Sequence, residues 1–174
     1  MNSKTSRILV IDDNQAVHED YRKVLETPKD DGKLMEMESL LFGGDSPEQP
    51  QAPNFTFEID SAFQGDEGLE FVKKSLADNS PYAIAFIDMR MPPGWNGIRT
   101  AKEIWKIDPN LPVVICTAYT DHTWEEIISE LPRVELLLIL KKPFDNIELK
   151  QMAASQSGLR NLIEQASRAK QPIT

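Results

Sequence analysis

The apolar residues of this chain fall into short runs and helical stripes that alternate from one end to the other. Ile8–Ile11 is a compact apolar run of the kind found in strands covered on both faces. Over Gln15–Glu26, Val17, Tyr21, Val24 and Leu25 recur at helical spacing, and Pro28 closes that helix. Phe55–Ala62 alternates aromatic or branched residues with polar ones, as a second strand does. Gly65–Ala77 then carries Leu69, Val72 and Leu76 on one helical face, and Tyr82–Ile87 is a third strand. Gly97–Ile107 is a helix with Ile98, Ala101, Ile104 and Trp105 inward, followed by a fourth strand, Pro112–Cys116. Asp121–Leu131 places Trp124, Ile127, Ile128 and Leu131 in phase, Leu136–Leu140 is a fifth strand, and a long helix begins near Asp145. Five strand–helix alternations predict an α/β domain: a parallel sheet with helices on both faces and right-handed crossovers.

Two stretches exceed that plan. Pro28–Asn54 is rich in Pro, Gly and acid and far longer than an ordinary helix-to-strand connection. Within it Leu34–Phe42 has the pattern of a short amphipathic helix, so the insert is either disordered or a docking surface. The last helix, from Asp145 to about Ala169, would reach roughly 35 Å at the α-helical rise. Its residues Leu149, Met152, Gln156, Leu159, Ile163 and Ala166 recur in steps of three and four, a heptad seam with one polar member. Ser157-Gly158 is a potential break. Both a dimer or linker coiled coil and a helix capping its own domain fit this spacing. The expected organisation is a main domain over 7–154, with the insert at 28–54, and a helical extension or linker over 155–174.

The 174 residues suffice for one domain with a real core. A net charge of −9 argues against direct nucleic-acid or anionic-membrane binding. The first residues, MNSKTSR, are polar, and no apolar run approaches a bilayer span, so a cytoplasmic location is expected. The one cysteine, Cys116, lies inside an apolar run and reads as a buried, inert thiol. His18 and His122 have no second ligand at metal spacing and read as surface histidines. Trp95 and Trp105 read as loop packing and core.

The chemistry lies where the apolar runs stop. Strands of a parallel sheet end at a common edge, where ligands bind. Here the runs end in Asp12-Asp13, Asp88, Thr117 and Lys142. Adjacent acids repel unless a cation neutralises them, and magnesium (or manganese) favours such oxygen donors. Asp13 and Asp88 are candidate direct ligands, with Asp12 acting through water. Asp88, followed by a Pro/Gly-rich loop, is the candidate nucleophile, because a carboxylate attacks phosphorus once its charge is screened. Thr117 beside small Ala118 offers a hydroxyl to a phosphoryl oxygen, and Lys142 ahead of Pro143 offers an ammonium. Lys141 competes for that role, since strand alternation lets only one of the pair face the pocket.

These residues resemble the receiver domain of two-component response regulators: Asp12-Asp13, Asp88 with Met91-Pro92 and Gly97, Thr117-Ala118, and Lys142-Pro143-Phe144. The resemblance covers roughly Arg7 to Ala154 apart from the insert. It implies a flavodoxin-like, doubly wound sheet of order 2-1-3-4-5. It also implies Mg²⁺-dependent phosphotransfer to Asp88 from a histidine kinase or a histidine phosphotransfer protein, with the backbone carbonyl of Arg90 as a further metal ligand. Such a domain is a self-resetting switch, not a turnover enzyme. The face over 121–142, or the last helix, would serve partner or homodimer contacts.

The chain departs from that pattern in three places. The loop from Asp88 to Gly97 is one residue longer, through Pro93-Gly94-Trp95-Asn96. Ile139 stands where an aromatic switch residue is usual, so Tyr119 is expected to affect access instead, and Arg90 and Tyr119 to tune the lifetime of the phosphoryl group. No recognisable output segment is expected in the residues after the receiver pattern, and the Leu-Lys-Lys-Pro-Phe-Asp run looks like receivers ahead of sensor kinases or cyclic-di-GMP enzymes, of which this chain would be a module. Two other readings compete: a receiver that binds partners without phosphorylation, and a haloacid-dehalogenase-type phosphatase. The latter needs its two acids separated by two positions after the first strand, whereas Asp12 and Asp13 are adjacent.

Overall fold

The computed structural model describes residues 5–26, 55–118 and 122–170. The insert, with its candidate helix Leu34–Phe42, and Tyr119 lie outside them. The elements run β1 (Thr5–Ile11), α1 (Gln15–Leu25), β2 (Thr56–Ala62), α2 (Gly65–Ala77), β3 (Ile84–Asp88), α3 (Gly97–Ile107), β4 (Val113–Thr117), α4 (Trp124–Glu130), β5 (Leu137–Lys141) and α5 (Asn146–Ala169). The five strands form one parallel sheet of order β2-β1-β3-β4-β5. That is the doubly wound arrangement expected from the alternation.

Alternate residues of each strand feed two apolar layers. Leu9, Ile11, Ala85, Ile87, Val113 and Ile115 join Val72, Ile98, Ile104 and Ile127 on the side of α2, α3 and α4. Ile8, Val10, Ile84, Phe86, Val114 and Cys116 join Tyr21, Leu25, Leu149 and Ala153 on the side of α1 and α5. Both layers exclude water, which is why β3 and β4 read as unbroken apolar runs.

The boundaries shift where packing is one-sided. β1 starts at Thr5, not Ile8, because Thr5, Ser6 and Arg7 are laddered to the edge strand β2, whereas the ladder to β3 begins at Ile8. The helix expected from Asp121 begins at Trp124, after Thr123 closes a capping box with Glu126. Trp124, in phase with the buried Ile127 and Leu131, is nonetheless 48% exposed as the first residue of the helix. Leu149 and Ala153 are buried in α5, while Leu159 and Ile163 pack against the layer of α2–α4. The heptad seam is thus occupied by the domain itself as far as Ile163. Ser157 is buried and Gly158 does not interrupt the helix.

Candidate functional site

The parallel register brings the strand ends together. Ile11 sits level with Ile87, so Asp12 lies beside Asp88. Asp88 pairs with Cys116, and Thr117 with Lys141. One oxygen from each of Asp12, Asp13 and Asp88 lies within 4.8 Å of the others. Asp12 is buried, Asp88 half-buried and Asp13 exposed. Lys142, and not the exposed Lys141, turns inward: its Nζ donates to Asp12 Oδ2 at 2.9 Å and to Asp88 Oδ1 at 3.0 Å. The Lys142-Pro143 peptide is cis. Asp12 Oδ1 accepts from the backbone N–H of Asn14 at 2.9 Å, while the Asn14 side chain caps α1.

Burial raises the Asp88 carboxyl above the ordinary carboxylate range; Lys142 opposes that shift, and Asp12 and Asp13 reinforce it. Burial also works against the Lys142 ammonium, but its hydrogen bonds and attraction to Asp12 and Asp88 outweigh it and hold the group above its usual value. The site therefore carries one cation against three acids. Three hard oxygen donors with surplus negative charge fit a divalent cation such as Mg²⁺.

Thr117 is buried at the end of β4, and its hydroxyl donates to the Ala118 carbonyl at 3.0 Å. Arg90 is exposed in the loop after β3. Ile139 packs into the layer of α2–α4. His122 is exposed, and Trp95 is half-buried with the Arg99 guanidinium over its ring. Cys116 is buried against the Tyr21 hydroxyl, and burial pushes its thiol up to about 12. His18 corrects the sequence reading. It is 1% exposed, and its Nε2 donates to the backbone carbonyl of Asp12 at 2.7 Å. The signal was present: His18 lies three positions before Tyr21, on the stripe His18–Tyr21–Leu25 that α1 buries.

Gly97 opens α3 against the back of the site. A Cβ there would stand 2.7 Å from the Asp88 carbonyl oxygen and 3.1 Å from Met89 Cα, both backbone atoms with little room to yield. Gly97→Ala is expected to cost about 1–3 kcal/mol in denaturant unfolding and to weaken divalent-cation binding by displacing Asp88.

The sequence matches the response regulator receiver domain family over residues 51–154, more than half of the chain. The chain belongs to that family. The matched stretch begins after β1 and α1, which supply Asp12 and Asp13, yet β1 lies inside the receiver sheet between β2 and β3. Receiver domains are signalling domains. Among solved structures, the chain is similar to a response regulator receiver protein from Sinorhizobium medicae (19% identity, 91% of this chain and 99% of that one, TM-score 0.59). It is also similar to an adenylate cyclase from Rhodopirellula baltica (20% identity, 95% and 97%, TM-score 0.64). A third likeness is to the N-terminal domain of a response regulator/sensory box/GGDEF 3-domain protein from Carboxydothermus hydrogenoformans (17% identity, 90% and 98%, TM-score 0.59). At these identities the likeness concerns the receiver fold. No curated protein matches. Among the described residues, no helix is long and apolar enough to cross a membrane.

Proposed function

We propose that this receiver domain accepts a phosphoryl group on Asp88 from the phosphohistidine of a histidine kinase or histidine phosphotransfer protein. The observation that carries the reading is the Lys142 ammonium bridging Asp12 and Asp88, with Asp13 completing the acid cluster. Asp12, Asp13 and Asp88, with the Arg90 carbonyl, would hold Mg²⁺ or Mn²⁺, whose charge offsets the repulsion between carboxylate and phosphoryl oxygens.

A carboxylate oxygen of Asp88 attacks phosphorus; the P–N bond breaks, and its electron pair stays on the imidazole. Lys142, already in contact with Asp88, then faces the phosphoryl oxygens. Thr117 exchanges the Ala118 carbonyl for one of those oxygens and draws the chain after β4 toward Asp88. The face over 121–142 moves with it, changing affinity for a partner or a second copy. Attack of water on the acyl phosphate resets the domain, at a rate that Arg90 and Tyr119 tune. The receiver unit spans 7–154, and 155–174 serves as a helical extension or linker, of which 155–169 continues the last helix.

Incubating the protein with Mg²⁺ and acetyl phosphate or phosphoramidate tests this reading. Intact-mass spectrometry is expected to show one added phosphoryl group, absent from Asp88→Asn and from samples with excess EDTA. An unmodified parent, or an adduct that survives in Asp88→Asn, would sink it.

A further inference from the structure

We propose that His18 is a positioning residue for the acid cluster, acting through the peptide that joins Asp12 to Asp13. The inference rests on the reading of Asp12, Asp13 and Asp88 as a divalent-cation site.

Ile11 is the last residue of β1 in the ladder, so Asp12 stands just past the sheet. Four hydrogen bonds hold it there. Its N–H donates to the Ala62 carbonyl at 3.1 Å, and its carboxylate accepts from Asn14 N at 2.9 Å and from Lys142 Nζ at 2.9 Å. The fourth bond, from His18 Nε2 to the Asp12 carbonyl at 2.7 Å, reaches back from the first turn of α1. That carbonyl shares one rigid plane with the N–H of Asp13. Fixing its direction fixes the plane from which Asp13 departs, and with it the place of the Asp13 Cα. The cluster's most exposed acid is thus anchored at its backbone by a bond to its neighbour's carbonyl.

The chemistry of the ring supports this assignment. A carbonyl only accepts, so Nε2 carries the proton. Its other nitrogen, Nδ1, is buried with no hydrogen-bond partner among the described residues. A leucine would fill the same space beside Phe63, whose ring centroid lies 4.7 Å away, and would bury no orphaned nitrogen. Packing alone therefore does not account for an imidazole here; its Nε2–H bond to the Asp12 carbonyl does.

Full-length parent, His18→Leu and His18→Gln test the assignment. The glutamine amide can place a donor near the position of Nε2, whereas leucine offers none. Mg²⁺ titrations followed by the amide resonances of residues 12, 13 and 88 are expected to show about tenfold weaker binding in His18→Leu and near-parental binding in His18→Gln. In metal-free buffer the Asp13 amide should already be displaced in His18→Leu and restored in His18→Gln. Parental affinity in His18→Leu, or equal losses in both variants, would assign His18 to packing and overturn the proposal. Ring ¹⁵N shifts of the parent add a check that needs no variant: a proton on Nδ1 instead of Nε2 overturns it as well. A parent that takes up no Mg²⁺ would overturn the cation site itself, and the positioning role with it.

Discussion

Lys142→Met is expected to move cation affinity and phosphoryl acceptance in opposite directions. The ammonium holds Asp12 Oδ2 and Asp88 Oδ1, two of the carboxylates that a divalent cation needs. Removing it frees those oxygens and deletes a positive charge from the cluster. Mg²⁺ binding should tighten by about three- to tenfold at low salt, with a smaller gain as ionic strength rises. Charge that develops on the transferring phosphoryl group loses its nearest fixed cation in the same step, so the rate of phosphorylation by acetyl phosphate should fall about 10²-fold. Without metal, the variant also leaves three acids with no counter-charge. Lys142 is 27% exposed, so the cost to the metal-free fold is about 1–2 kcal/mol, well short of that for a fully buried pair. Adding Mg²⁺ should restore most of that loss. Weaker Mg²⁺ binding together with an unchanged phosphorylation rate would show that Lys142 is a structural tether and not part of the phosphoryl site.

Some of this site was legible before the fold, for an identifiable reason. β1, β3, β4 and β5 are covered on both faces, so each is an apolar run that stops where the chain reaches water, and each stop carries one of the polar residues. The edge strand β2 and the first turn of β1 are covered less fully; hence Thr5, Ser6 and Arg7 left no apolar trace although they are paired. Helical phase groups Trp124 with Ile127 and Leu131 but does not show how much of a helix's first turn is covered. His18 was missed for the converse reason: polarity was taken as exposure, although its phase with Tyr21 and Leu25 put it on the buried stripe. The choice between Lys141 and Lys142 needed the path of the chain beyond β5. The heptad spacing of α5 could not distinguish a partner helix from the domain's own layers, because both present the same kind of apolar surface.

How α5 is fastened leads to the second large effect. Arg160 and Asp108 form an ion pair at 2.7 Å with side chains only 7% and 5% exposed, and Arg160 Nε also donates to Glu164 at 2.8 Å. Burial disfavours the charge on Arg160, but Asp108 and Glu164 hold the group above its ordinary value. Asp108 is the C-cap of α3, the helix whose first residue, Gly97, packs on the Asp88 backbone. One helix therefore runs from the end of β3, at Asp88, to the anchor of α5. In Arg160→Met the stem remains, but the buried Asp108 carboxylate loses its cation: among the described residues its Oδ2 already lacks a partner and its Oδ1 keeps the Asn110 N–H at 3.3 Å. The expected cost is about 3–4 kcal/mol in urea unfolding, since a buried charge stripped of its partner is far costlier than a missing surface pair. For a chain of this size that lowers Tm by about 10 °C. Adding Asp108→Leu to Arg160→Met should recover about half the loss, because the stranded carboxylate is removed while the Asn110 N–H loses its acceptor. Hydrogen exchange in the last two turns of α5 should accelerate in the single variant, and Mg²⁺ affinity should stay at the parental value. A Tm within about 2 °C of the parent would mean that α5 is held by Leu149, Ala153, Leu159 and Ile163 alone, and that the ion pair contributes nothing to its position.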